Sequence, residues 1–324
     1  MKKIISILLL FLTILLTFTG CGSNTFDFTN GKLSVVCTIF PEYDWVKQIV
    51  GDSPDVDVRL LIKNGVDLHS YQPSVEDIAR ISTCDLFVYV GGESDNWVND
   101  VLKEAVNKDM VALNLLDVLG DYVKKEEEID GMQEEHGHSH DENETAEYEE
   151  HVWLSLKNAE LFVRTLRDTL CSIDKNNRAV YSDNAQGYLN TLSDIDGQYG
   201  KMAESAKRST ALFADRFPFR YLFDDYNISY YAAFKGCSSE TEASFETITF
   251  LSDKINKLNL DCVLTLENSD DRIASAIIQA SENKNAEILT LDSMQSTNIK
   301  DVESGTTYAS IMQSNLETLR TALN

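Results

Sequence analysis

The chain holds five histidines, at positions 69, 136, 138, 140 and 151. Imidazole nitrogen is a frequent ligand of divalent transition metals, and carboxylates supply the harder oxygen donors that complete such sets. His136, His138 and His140 alternate with Gly137 and Ser139 and run into Asp141-Glu142. Imidazoles on small flexible residues make a low-affinity, fast-exchanging collector of cations, one that protonation weakens near about pH 6. His69 and His151 stand outside this tract. Their use depends on the elements that carry them.

Those elements read as alternating strands and helices. Apolar runs predict strands at 33–39, 56–62, 86–90 and 111–116. Helices are expected at 41–50, from Ser74 as a cap with Asp77 three residues on, and over 96–106. Two helical segments follow, 156–170 and 176–206; the apolar residues of the second recur every three or four positions. Alternation then resumes with strands at 211–214, 230–234, 262–266 and 287–291 and helices at 219–225, 244–258, 272–283 and 307–322. The expected fold class is α/β: two lobes, each a mainly parallel four-stranded sheet flanked by helices, joined by a long rigid linking helix. In such sheets ligands bind beyond the carboxyl ends of the strands. The polar residues there are His69, Glu93, Asp215, Glu267 and Asp292, with His151 opening the helical region. Drawn together from both lobes, they form a candidate divalent-metal site.

Asp and Glu number 53 against 28 Lys and Arg, a formal net charge of −25. A polyanion of this size repels nucleic acid and anionic headgroups, so no nucleic-acid partner is expected. No GxSxG, HExxH or P-loop pattern occurs, and the chain is not expected to be an enzyme. Residues 124–148 are so acidic and so poor in apolar side chains that they read as a disordered surface insertion. Cys37, Cys84, Cys171, Cys237 and Cys262 show no metal-binding spacing and read as buried small hydrophobes, with one unassigned disulfide left open.

Local sequence sharpens this. Lys2-Lys3, an apolar run from Ile4 and Phe18-Thr19-Gly20-Cys21 resemble a bacterial lipoprotein signal, with Cys21 lipidated. Gly65-Val66-Asp67-Leu68-His69-Ser70-Tyr71-Gln72-Pro73 resembles the G-x-D-x-H-x-Y-x-P loop of the metal-binding lipoproteins of zinc and manganese ABC transporters, solute-binding protein family 9. Glu150-His151-Val152-Trp153-Leu154, Gly91-Gly92-Glu93 with Trp97, and Thr290-Leu291-Asp292-Ser293-Met294 are similar to further elements of that family. The resemblance covers roughly residues 33–324.

It implies a division into a signal peptide (1–20), a tether (21–32), an amino-terminal lobe (33–155) carrying the insertion, a helical linker (156–208) and a carboxy-terminal lobe (209–324). By resemblance, His69, His151 and Asp292 ligate the metal. The family's fourth ligand, a His or Glu, falls on Ala214 here. Asp215 beside it is one substitute; water or another carboxylate such as Glu240 is a second; a structural Asp215 with an altered site is the third. The cargo implied is zinc in preference to manganese, delivered to an ABC permease by an extracytoplasmic, lipid-anchored monomer. Two rivals stand beside it: a binding protein for a haem or siderophore complex, and an exported metallohydrolase.

Overall fold

The structure is a computed structural model and describes residues 31–133, 148–238 and 242–324. Cys21 and the signal segment, His136, His138, His140 and Glu240 lie outside the described residues. No described helix is long and apolar enough to cross a membrane.

The amino-terminal lobe runs β1 (Leu33–Cys37), α1 (Phe40–Val50), β2 (Val56–Leu60), α2 (Val75–Thr83), β3 (Leu86–Tyr89), α3 (Val98–Lys103), β4 (Val111–Asn114) and α4 (Leu115–Leu119). Its four strands are parallel in the order β2-β1-β3-β4. The fourth strand ends two residues earlier than the sequence suggests. The Asn114 side chain accepts a hydrogen bond from the Asp117 amide, so the polar residue inside the apolar run caps a short helix. Helices α5 (Leu156–Ile173) and α6 (Arg178–Ser205) follow. At 28 residues, α6 spans about 42 Å. It buries Tyr181, Ala185, Tyr188, Leu192, Ile195, Tyr199 and Met202, the stripe expected from spacing.

The carboxy-terminal lobe repeats the pattern with β5 (Thr210–Phe217), α7 (Arg220–Asp225), β6 (Ser229–Lys235), α8 (Phe245–Leu258), β7 (Cys262–Leu266), α9 (Arg272–Ala280), β8 (Glu287–Leu291), α10 (Ile299–Glu303) and α11 (Tyr308–Ala322). The strand order β6-β5-β7-β8 is the counterpart of the first sheet, so β6 occupies the place of β2. The expected two-lobe α/β class holds.

One hydrophobic cluster runs through both lobes, from Val35 in β1 through Trp153 to Leu323. Polar contacts reinforce it at the lobe boundary. Asp44 of α1 accepts from the Tyr188 hydroxyl of α6 (3.2 Å) and from the Tyr308 amide opening α11 (3.1 Å). Tyr308 in turn donates its hydroxyl to the Trp153 carbonyl at 2.7 Å. Asp67 pairs with Arg216 across the cleft at 2.9 Å.

The acidic insertion needs correction at its described ends. Residues 124–133 are not a free surface segment; they lie against the carboxy-terminal lobe. Glu127 pairs with Arg220 at 2.7 Å, Glu128 with Lys235 at 3.3 Å and Lys124 with Asp224 at 2.6 Å. Met132 is buried, and the Gln133 amide donates to the Ala233 carbonyl at 2.9 Å. The acids of this strap meet a basic strip that sequence distance conceals.

Candidate metal centre

Both expected imidazoles sit on short 3-10 turns, a local form the apolar spacing does not signal. His69 lies in Leu68–Ser70, whose capping Asp67 accepts from the His69 amide at 3.0 Å. His151 immediately precedes Val152–Leu154. Pro73 and the polar residues around it stop the first turn from extending. Three buried residues, Val152, Trp153 and Leu154, pin the second into the shared core.

The two rings meet edge to face with centroids 5.1 Å apart, and their Nε2 atoms are 3.2 Å apart. Each Nδ1 is engaged on the other side. His151 Nδ1 hydrogen-bonds the Glu149 carboxylate, which also accepts from the His151 amide at 3.0 Å. His69 Nδ1 contacts Ser94 Oγ at 2.6 Å and lies 3.5 Å from Glu150 Oε2. With the Nδ1 protons facing these outer partners, both Nε2 lone pairs point at one place. Two nitrogens on a tetrahedral zinc, each about 2.0–2.1 Å from it, stand roughly 3.3–3.4 Å apart. The observed separation matches that ligand edge.

Electrostatics favour a cation at the same point. Glu149, Glu150 and His151 are all at least 97% buried, and Glu150 Oε2 has no hydrogen-bond partner. Burial raises the Glu150 carboxyl above its ordinary range. Burial, followed by the neighbouring His151, pushes His69 down to about 3, so His69 presents a neutral lone pair. Burial alone would lower His151, but the Glu149 carboxylate on Nδ1 outweighs it and holds that ring above its usual value. Two buried carboxylates behind two imidazoles leave a charge deficit that a divalent ion neutralises.

Tight turns make room for these carboxylates. Gly92 has φ +78°, and a Cβ there would fall 2.2 Å from Glu150 Oε1. A Cβ on Gly236 would stand 3.0 Å from both Glu149 Oε2 and the Phe217 carbonyl. Glycine at 92 is therefore a spatial requirement of the site, and at 236 a larger residue would have to push the Glu149 carboxylate or the Phe217 carbonyl aside by a few tenths of an ångström.

The two expected carboxylate ligands are placed differently. Strand β5 shifts register between Phe213 and Arg216, taking Ala214 and Asp215 out of the regular ladder. Asp215 turns back to accept from the amides of Arg216 (2.8 Å) and Leu266 (3.3 Å). Ala214 and Asp215 line a cavity of about 510 Å³ between the lobes, with Asp67, Arg216 and Glu267. Asp292 lies across the cleft beside Ser293, whose carbonyl accepts from Trp153 Nε1 at 3.0 Å. Its Oδ1 accepts from the Met294 amide at 2.7 Å, and burial, then Glu267, raises its carboxyl to about 7. Glu267 itself clasps the Ser293 amide and hydroxyl at 2.8 and 2.7 Å.

Among the described residues, the side chains whose donor atoms gather with His69 and His151 are not these carboxylates. Cys237 joins them, with all three donor atoms within 4.8 Å of one another. It sits two residues past β6 and is only partly covered, unlike the core thiols Cys37, Cys84, Cys171 and Cys262. All five described cysteines are free, so none forms the disulfide left open above. Sequence reasoning set Cys237 aside as an apolar residue and gave Glu149 and Glu150 no role at the site. The available signals were a polar thiol directly after a strand and two acids directly before a histidine.

The family model for zinc-uptake complex component A, periplasmic (ZnuA) matches residues 35–322. The chain belongs to the ZnuA family. A relative in Streptococcus pyogenes, zinc-binding protein AdcA, is 30% identical over 295 residues, covering 90% of this chain and 56% of the relative. The chain thus spans about half the length of the streptococcal relatives it matches. The high-affinity zinc uptake system protein ZnuA of Bacillus subtilis is 28% identical over 314 residues, covering 95% of this chain and 94% of that protein. Among solved structures, the Zn(II)-bound ZnuA-like domain of Streptococcus pneumoniae AdcA superposes with a TM-score of 0.70 at 26% identity, covering 90% of this chain and 99% of that one. ZnuA-family membership makes this chain a solute-binding protein in kind.

Glu149 offers a direct test of the outward Nδ1 assignment. An outer-shell carboxylate fixes the ring and raises its basicity, and its loss costs about 10–100-fold in metal affinity. Glu149→Gln is expected to weaken zinc binding by that factor while leaving the fold intact, as read by competition with a chromophoric chelator. Unchanged affinity would mean that Glu149 does not orient His151.

Proposed function

We propose that this protein is an extracytoplasmic zinc-binding lipoprotein, anchored through Cys21, that captures one ion between its lobes and hands it to an ABC permease. The two Nε2 atoms 3.2 Å apart, backed by engaged Nδ1 atoms, are the observation that carries the proposal. The zinc-binding relatives of similar sequence support the same cargo. His69 and His151 bind the ion, and Asp292 supplies a carboxylate from the opposite lobe. Asp215 is a backbone clasp rather than a ligand. Zinc is preferred, and manganese binds more weakly.

Residues 33–155 and 209–324 act as the two lobes, with 156–208 as the stiff element between them. The His136–His140 tract, tethered to the same chain, collects cations for the site. Ser94, Glu149 and Glu150 hold the imidazoles in register and compensate the ion's charge. No bond in the cargo is made or broken, so the protein acts by capture and delivery as a monomer. Release follows when docking on the permease favours a lobe arrangement with poorer ligand geometry.

The test is zinc stoichiometry and competitive affinity of the chain carrying His136→Ser, His138→Ser and His140→Ser. One tightly held zinc per chain is expected, lost on adding His69→Ala. Absence of bound zinc in the parent of that pair would overturn the proposal.

A further inference from the structure

The two imidazoles leave a tetrahedral ion short of donors, and every histidine of the chain lies at or before residue 151. The carboxy-terminal lobe therefore has no imidazole to offer. It does present Cys237, whose Sγ lies within 4.8 Å of the donor nitrogens of both His69 and His151. On a tetrahedral zinc a thiolate at about 2.3 Å and an imidazole at about 2.0–2.1 Å stand roughly 3.6 Å apart. A displacement of about 1 Å, within reach of a small side-chain rotation on a loop, closes that difference.

Three further observations point the same way. The Glu150 Oε2 atom, in a side chain 97% buried, has no hydrogen-bond partner and lies 3.5 Å from His69 Nδ1, so the cluster favours a cation among these donors. The Cys237 amide is fixed by Glu126 Oε1 at 2.9 Å, which ties the loop to the 124–133 strap and sets where the thiol stands. Finally, β6 is the counterpart of β2 in the shared strand order. Cys237 thus follows the strand of the second lobe that corresponds to the one His69 follows in the first.

We propose that Cys237 supplies a thiolate ligand to the ion held by His69 and His151, making this a sulfur-containing site selective for soft, thiophilic divalent metals. On binding, a metal–sulfur bond forms, the S–H bond breaks and its proton leaves to the solvent; no electron changes hands. A thiolate favours zinc, and cadmium or cobalt as its surrogates, over the oxygen-seeking manganese ion. The inference deepens the proposed function and rests on the two-imidazole site described there.

Cobalt(II) reads the ligand set directly. The full chain is loaded with one equivalent of cobalt in a Cys21→Ser background, so that Cys21 contributes no thiolate, with the three loop histidines replaced by serine. A near-ultraviolet sulfur-to-cobalt charge-transfer band is expected beside the visible ligand-field bands. Cys237→Ser is expected to abolish the charge-transfer band and keep ligand-field bands. It should also lower zinc affinity at least about tenfold and leave manganese affinity within a factor of two. Bound cobalt with ligand-field bands but no sulfur band in the parent would overturn this inference and leave the two-imidazole site standing. Failure of the parent to bind cobalt at all would overturn both.

Discussion

Replacing His151 with alanine is expected to lower zinc affinity roughly 100- to 1,000-fold. Four-ligand zinc sites are worth about 10–16 kcal/mol, so one ligand carries about 2.5–4 kcal/mol of that total. Each 1.4 kcal/mol is about a factor of ten. His151 is fully buried between Glu149, the facing His69 and the Trp153 ring at 5.1 Å, so no neighbouring group can swing into its place. The same substitution strands Glu149 without its ring partner, and breaking a buried charged pair costs about 3–5 kcal/mol of stability. Affinity and stability are separated by His69→Ala, which removes a ring that is 16% exposed and has no short carboxylate partner, and should match the affinity loss with a smaller drop in melting temperature. Competition titration in the loop-serine background checks both. Retention of affinity within a factor of a few by His151→Ala would exclude it as a ligand.

Glutamine at position 42 should make the protein more stable at alkaline pH, by an amount that grows with pH. Glu42 is fully buried in α1; its Oε2 accepts from the Thr38 amide and hydroxyl and the Ile39 amide, while Oε1 has no partner. Burial, reinforced by the Asp95 carboxylate, raises Glu42 from 4.5 to about 8. Asp95, buried too, is raised from 3.8 to about 7. A folded state with raised carboxyl pKa values holds protons that the unfolded chain has released. Stability is therefore fullest below the unfolded values, near pH 4, and falls as pH climbs through about 7 and 8.

Glutamine mimics the protonated acid: its oxygen accepts the three hydrogen bonds and its amide replaces the acid proton. With each pKa unit worth about 1.4 kcal/mol, Glu42→Gln should gain a few kcal/mol at about pH 8.5 and less than about 1 kcal/mol at about pH 5. Thermal melts across that interval measure it. A gap that stays constant with pH would show that the buried acid is ionised throughout.

The strand–helix rhythm and the α6 stripe were legible because burial on a sheet face or helix stripe leaves a period in the sequence. His69 and His151 were legible as residues, but the burial that gives Glu149 and Glu150 their role was not, because acidic residues beside an acidic tract read as exposed. The strap 124–133 was misjudged because Glu127 and Glu128 are matched by Arg220 and Lys235, and Lys124 by Asp224, about a hundred positions away. Asp215, after an apolar run, was one of three ways to complete the ligand set, a structural role for it being another. At the register shift in β5 its carboxylate accepts from backbone amides, which no period in the sequence announces. Cys237 was missed for the opposite reason: residue type suggested a core, while its place after β6 brings its thiol beside the two imidazoles.

The single hydrophobic cluster that crosses both lobes has a thermodynamic consequence. Lobes with separate cores could open one at a time, and an ion in the cleft would steady only the nearer surfaces. Here Val35, Trp153 and Leu323 belong to one packed body, so unfolding either lobe disrupts the other. An ion bound only by the folded chain then stabilises the whole of it by mass action, about 2.7 kcal/mol at a free concentration a hundred times the dissociation constant. Metal supply is thereby converted into chain lifetime: where proteases remove transiently open molecules, the empty form is cleared first and the loaded form persists.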